Sequence, residues 1–404
     1  MTGIKTIRRS GFLSRACTFV LLLLTGTAIA ADALEIEITY LGRAGEPIIP
    51  LSLLDMPVED NGIPGSVLGL KDSQTTGNFL NHIYKLDHVI LEPEENLAER
   101  FKKLTNNGAK LFIADLGAAD LQSLKNLSAD ALILNVQSMD DSLRNQNCDA
   151  RVLHLPPSRA MVADALAQYL AWKRWREVVL VTGRHAQDKL YANSLHRAIE
   201  RYGLKLVQEK NWTAEPGARR TDSGHHTLQQ EVPVFTRFKE HDVVLVADER
   251  DEFGEYLTYR STSPRPVAGT QGLIPTAWHR TQEQWGATQI QRRFTKLAGR
   301  TMTERDYAAW LAMRAFSDAV TNTSSADPSV VREFLLSDKL KLAGFKGAPL
   351  SFRQWNGQLR QPVLLAGPRM LVSVSPQKGF LHEVSELDTL GYDKPESACT
   401  DFQE

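Results

Sequence analysis

Val178-Val179-Leu180-Val181, closing on Thr182-Gly183-Arg184, is the stretch from which the fold follows. Four successive apolar residues with no polar alternation predict a strand covered on both faces, as in a parallel sheet. The residues after it place Tyr191, Leu195, Ile199 and Tyr202 on one helical stripe, with Gly203 as the stop. The same strand-then-helix unit recurs on either side. Upstream, residues 34–41 alternate as a strand ending on Gly42-Arg43, and 88–91 form a short apolar run. A helix then carries Leu97, Phe101 and Leu104 and ends near Gly108. Strands follow at 110–114, ending on Asp115-Leu116-Gly117, and at 131–136. Residues 152–155 lead through Pro156-Pro157 to Ser158, which suits the N-cap of a helix bearing Val162, Leu166 and Tyr169. Downstream, 243–246 repeats the unit before a helix near 251–259, and 266–269 gives one more strand. Alternation of this kind specifies an α/β protein, and the two series, split at Pro156, predict two doubly wound parallel-sheet lobes joined by a hinge.

The final third is laid out differently. Thr303 and Asp306 form a capping-box pattern for a helix with Ala309, Met313, Phe316 and Val320 on its buried side. Asp327-Pro328 opens another helix. Asn356-Gly357 between two apolar runs predicts a type I′ hairpin. Residues 211–233, polar and rich in Gly, Arg and His, read as a long loop. The expected organisation is a leader at 1–30, a first lobe of 31–155 plus 279–338, a second of 156–278 plus 339–390, and a tail at 391–404.

The first thirty residues have the order of a cleavable secretory signal. Lys5, Arg8, Arg9 and Arg15 precede the apolar run 18–24, and Ala28-Ile29-Ala30 supplies a small-x-small cleavage site. The apolar core is too short for a stable membrane anchor. Arg8-Arg9 also admits twin-arginine export, which the neighbouring residues fit poorly. A soluble periplasmic monomer is expected. Without the leader, forty-seven basic residues fall to forty-three against forty-eight acids, a balance near −5 that excludes the basic footprint of a nucleic-acid binder. Cys148 and Cys399 remain. In an oxidising compartment they are a disulfide candidate, with two buried free thiols as the alternative.

The order Asp306-Tyr307-Ala308-Ala309-Trp310, Ala315, Asp318-Ala319, Asp327-Pro328-Ser329, Gly344-Phe345-Lys346-Gly347 and the Asn356-Gly357 turn resembles the C-terminal third of type I periplasmic solute-binding proteins. Those are receptors of ABC importers of the branched-chain amino acid type. The crossover at 152–158 and Gly269-Thr270-Gln271-Gly272 fit the same pattern. Three further segments, 156–160, 220–225 and 276–280, resemble the subgroup encoded with pyrroloquinoline quinone (PQQ) dependent alcohol dehydrogenase systems. The resemblance implies capture of a small solute and delivery to an inner-membrane ABC permease, with PQQ as the favoured transported ligand and no cofactor of the protein's own. A branched-chain amino acid, an alcohol-derived organic acid, or a sensory or scaffold role without transport are the alternatives. One departure weighs against an ordinary amino acid: Asp115-Leu116-Gly117-Ala118-Ala119 lacks the hydroxyls such receptors usually present there.

Ligands of open α/β sheets bind beyond the carboxyl ends of the strands. That rule selects Arg43, Asp115, Gln137, Ser138 and Arg144 in the first lobe, and Ser158 and Arg159 at the crossover. In the second lobe it selects Arg184, His185, Asp248, Arg250, Thr270 and Gln271, with Trp278 and His279 at the return. Guanidinium groups bind carboxylates bidentately and stack on rings, so the expected ligand is a flat anion with Trp278 or Trp285 as platform. His225-His226 lacks the convergent partners of a metal site. No phosphate loop, nucleophile elbow, zinc-protease helix or CxxC pair is present, so no enzyme activity is expected.

Overall fold

Five parallel strands build the first sheet: β1 Leu34–Arg43, β2 His82–Leu91, β3 Leu111–Asp115, β4 Leu132–Asn135 and β5 Val152–His154, in the order β2-β1-β3-β4-β5. The second sheet is also parallel, with β6 Glu177–Thr182, β7 Lys205–Asn211, β8 Val243–Ala247 and β9 Val267–Gly269 in the order β7-β6-β8-β9. The computed structural model describes residues 33–45, 56–213 and 230–402. The expected leader and the segment 220–226 lie outside them. Residues 205–211, which carry no clear strand signal in the sequence, form β7; its half-exposed, charged pattern marks it as an edge strand.

Each sheet has its own core. Ile36, Ile113, Leu134, Leu155 and Trp278 pack with Phe316 and Val320 of helix Glu304–Thr323. Met161, Leu166 and Leu170 of helix Arg159–Lys173 pack with Leu180, Leu195 and Leu245. Before the tail the chain changes core three times, between Leu155 and Met161, between Leu273 and Trp278, and between Leu359 and Val363; Phe402 of the tail then returns to the first. The first and third crossovers are laced together: Gln361 Nε2 donates to Leu155 O at 2.5 Å and Gln358 Nε2 to Pro156 O at 2.9 Å. Arg144 is buried and donates to Gln358 Oε1 at 2.7 Å and to Pro156 O at 3.1 Å, a strut beneath the crossovers. Beside them Lys346 is buried, donating to Gln361 Oε1 at 2.6 Å and Pro362 O at 3.0 Å. Its burial lowers the ammonium pKa to about 7 against the opposing pull of Glu304.

The expected boundaries put 339–390 with the second lobe. The contacts divide that stretch: Leu342, Leu350, Phe352 and Leu359 enter the first core, whereas Val363 and Leu365 of strand Val363–Gly367 enter the second. Strand Val363–Gly367 pairs antiparallel with Ile274–Thr276 and with Met370–Ser375, extending the second lobe beyond its parallel sheet. The hairpin at Asn356-Gly357 is present, with Phe352 opposite Leu359, but its turn is not type I′. Arg353 N bonds to Gln358 O, leaving a four-residue loop in which Gly357 has φ 65° and Asn356 has no positive φ. A type I′ turn needs both.

The sulfurs of Cys148 and Cys399 are joined, with Cα atoms 5.6 Å apart. The tail reaches both lobes on its way there. Glu396 pairs with Arg201 at 3.1 Å on helix Ala186–Arg201 of the second lobe, while Asp401 pairs with Lys125 at 2.8 Å and Phe402 packs on the first core.

Candidate functional site

The carboxyl ends of both sheets open on one cleft of about 780 Å³. The first lobe contributes Arg43 after β1, Gly117 to Asp120 after β3, Gln137 to Asp140 after β4, and Arg305 from the first turn of helix Glu304–Thr323. The second contributes Arg159, Ala186, Gln187 and Leu190 from its two helices, and Glu249 after β8. A smaller pocket of about 320 Å³ lies against Pro156, Pro157 and Ala277 at the crossovers and shares Gln137, Met139 and Arg305 with the cleft.

Most of the charge here is already matched. Arg43 Nε donates to Asp120 at 2.8 Å, and its Nη1 binds the carbonyls of Glu92, Pro93 and Glu95 at 2.8–3.0 Å, so it clamps the loop after β2. Arg159 grips Glu249 bidentately at 2.6 and 2.7 Å and lies 3.6 Å from Asp140, linking a carboxylate from each lobe across the cleft floor. Asp115 sits behind the wall, receiving the Tyr40 hydroxyl at 2.9 Å and facing Arg305 at 3.4 Å. Burial raises its pKa, and the charge of Arg305 and the hydrogen bond from Tyr40 offset this only in part. Ser138 lines the cleft, its hydroxyl accepting from Asp140 N at 3.4 Å.

The strand-end residues thus divide. Arg43, Gln137, Ser138 and Arg159 line the cleft, with Asp115 one layer behind. Arg184 and His185 stand at the end of β6 and share Glu252, at 3.1 and 2.9 Å. Burial alone would raise the pKa of Glu252; these two hydrogen bonds leave it lowered. Asp248 is spent on structure. It accepts from the backbone N–H groups of Glu252, Phe253 and Gly254 at 2.7–2.9 Å and so caps helix Gly254–Arg260. Gln271 bonds to Asp248 O at 3.2 Å and Asp251 Oδ1 at 3.1 Å, and Thr270 bonds to Gln271. Ser158 caps its helix, accepting from Met161 N at 3.3 Å.

Trp278 does not offer a stacking platform to the cleft. It is 2% exposed and stacks on Tyr307 with centroids 4.4 Å apart, inside the first core. His279 bonds locally to Thr281 at 2.8 Å, and Trp285 is exposed over Gly347. The strand-end rule missed Asp140, Glu249 and Arg305. Arg305 comes from a helix start, between Glu304 and Asp306, where that rule gives no signal. Among the described residues no cluster of His, Cys, Asp and Glu could hold a metal ion, and no helix is long and apolar enough to cross a membrane.

No protein-family model matches the chain, and no curated protein does. Solved structures do. A branched chain amino acid ABC transporter periplasmic ligand-binding protein from Burkholderia xenovorans LB400 superposes with a TM-score of 0.65 at 12% identity, over 84% of this chain and 95% of that one. An amino acid ABC transporter substrate-binding protein from Pseudomonas fluorescens Pf-5 gives 0.64 at 10% identity, over 92% and 100%. A periplasmic binding protein from Burkholderia mallei gives 0.63 at 14%, over 91% and 98%. At such identities the likeness establishes the architecture: two parallel-sheet lobes in the manner of type I periplasmic binding proteins.

Proposed function

We propose that this protein is the periplasmic capture component of an ABC import system, closing its lobes on a small solute and presenting it to an inner-membrane permease. The observation that carries the reading is the cleft itself, where the carboxyl ends of two separately cored sheets meet across three crossovers. Nothing in it resembles a nucleophile set against a base, and its charged side chains are arranged as pairs rather than as an acid and a base around a reacting atom. Hinge closure is the established motion of two-lobed binding proteins.

The balance of charge bears on the ligand. Arg43, Arg159 and Arg305 share the cleft with Glu95, Asp120, Asp140 and Glu249. A solute of one or two charges, an amino acid or an organic acid such as alcohol oxidation yields, fits that balance. PQQ is the second reading, favoured by the flat guanidinium groups and by the resemblance of 156–160 and 276–280. With three carboxylates it would have to displace Asp120 from Arg43 and Glu249 from Arg159. Calorimetric titration of the mature protein with PQQ, leucine, valine and short organic acids should show one site for one of these classes. Flat traces across the panel would refute solute capture. Tight PQQ binding would restore the polyanion reading.

A further inference from the structure

We infer that Arg305 is the anion-recognising residue of the cleft and that the solute bound there carries a free carboxylate; the inference rests on the cleft being the capture site. Arg305 lines both the main cleft and the smaller pocket at the crossovers, so it stands where the two spaces join. The other arginines on the cleft wall have their donors engaged, Arg43 by Asp120 and three carbonyls and Arg159 by Glu249. Arg305 differs. Among the described residues its guanidinium makes no hydrogen bond, and its one ion pair is to Asp115 Oδ1 at 3.4 Å. It is also half-exposed, with 35% of its side chain open to solvent.

The partner it faces is a weak competitor. Asp115 Oδ1 is buried with no hydrogen-bond partner, while Oδ2 already takes the Tyr40 hydroxyl. Burial favours the neutral carboxyl at Asp115, which lessens its hold on Arg305 and its repulsion of a second anion. A planar fork of five N–H donors facing a solvent-accessible gap, opposite an acid that grips it loosely, is suited to a carboxylate arriving from solution. The position adds to this. Arg305 lies in the first turn of a twenty-residue helix, the end of the dipole that favours an anion, between Glu304 and Asp306 of the same turn. Gln137, shared by both spaces, is placed to add a neutral hydrogen bond beside it.

The test is a titration of full mature protein with a matched panel: leucine, valine, short mono- and dicarboxylic acids and PQQ, each acid beside its primary amide, with aliphatic amines as the third arm. The expected hits carry a carboxylate and lose roughly 30-fold or more in affinity as amides. Arg305→Gln should lose a similar factor for those hits, and Arg305→Lys, which keeps charge without the fork, should recover part of it. The amide comparison on wild-type protein keeps the test decisive if Arg305→Gln folds poorly. Equal affinity for acid and amide, or a carboxylate bound equally by Arg305→Gln, overturns the inference. Amines or amides as the only hits overturn it while leaving solute capture in place. A panel with no hit at all overturns the capture site and this inference together.

Discussion

Replacing Cys148 and Cys399 by serine should lower the stability of the protein by about 5 kcal/mol in the chain-entropy model, because the bond closes a loop of 251 residues in the unfolded chain. The loss will be smaller where the unfolded chain stays compact, and local contacts blunt it little. Lys125 with Asp401, and the packing of Phe402, would still tether the tail, but these are partly exposed and individually weak. Chemical denaturation of the double variant and of wild type, with and without reductant, measures the difference. Equal midpoints, or two thiols titrating in denatured protein that was never reduced, would contradict the bond. Because Glu396 rests on the second lobe and Cys399 on the first, the variant should also release the tail to proteolysis.

Asp388→Ala should cost about 3–5 kcal/mol, the range for breaking a buried ion pair and leaving its partner charged in the interior. Asp388 is fully buried between Arg353, at 2.8 Å, and Arg360, at 2.9 Å. Arg353 is itself 1% exposed and donates to the carbonyls of Leu387 at 3.2 Å, Leu390 at 2.7 Å and Tyr392 at 3.2 Å. The aspartate therefore neutralises the group that staples the C-terminal segment onto the hairpin of strands Pro349–Phe352 and Leu359–Arg360. The shift in the denaturation midpoint reads the effect directly. A loss below about 1 kcal/mol, typical of surface pairs, would show that the arginines find other counter-charges.

Strands β3, β4, β6 and β8 were legible because both of their faces are covered, which writes each of them as an uninterrupted apolar run. Helix Ile63–Leu80 was not legible for the opposite reason. Its buried face is Pro64, Gly65, Ser66, Leu68, Gly69, Ser73 and Gly77, in which Leu68 is the one large apolar side chain, too little for a periodic apolar signal. Those small residues let it lie directly on helix Glu304–Thr323: a Cβ at Gly65 would fall 2.0 Å from the carbonyl oxygen of Asp306, and one at Gly69 2.6 Å from Met313 Cβ. Glycine there serves close approach, whereas a sequence reading takes it for a loop. β2 was seen only in its last four residues, since an edge strand alternates with exposed charges.

At the site, the strand-end rule located the cleft and the residues near it, because parallel topology alone brings those ends together. It could not say which side chains were spoken for. Asp248 and Arg43 look like ligand contacts in sequence, and both are occupied by backbone groups, Asp248 by its own loop and Arg43 by the loop after β2, at distances of 2.7–3.0 Å. Trp278 follows a strand end in the same way, yet the chain is then crossing back, and the ring is carried into the first core against Tyr307. Arg305 comes from a helix start rather than a strand end, so that rule never reached it.

The proposed function requires the two lobes to close on a solute held between them. Small-angle scattering of the protein, with and without the tightest-binding member of the panel at saturation, measures that closure. Closure around the crossovers at 155–161, 273–278 and 359–363 predicts a smaller radius of gyration and a shorter maximum dimension when the solute is bound. Superimposable curves at full occupancy would rule out closure on the solute.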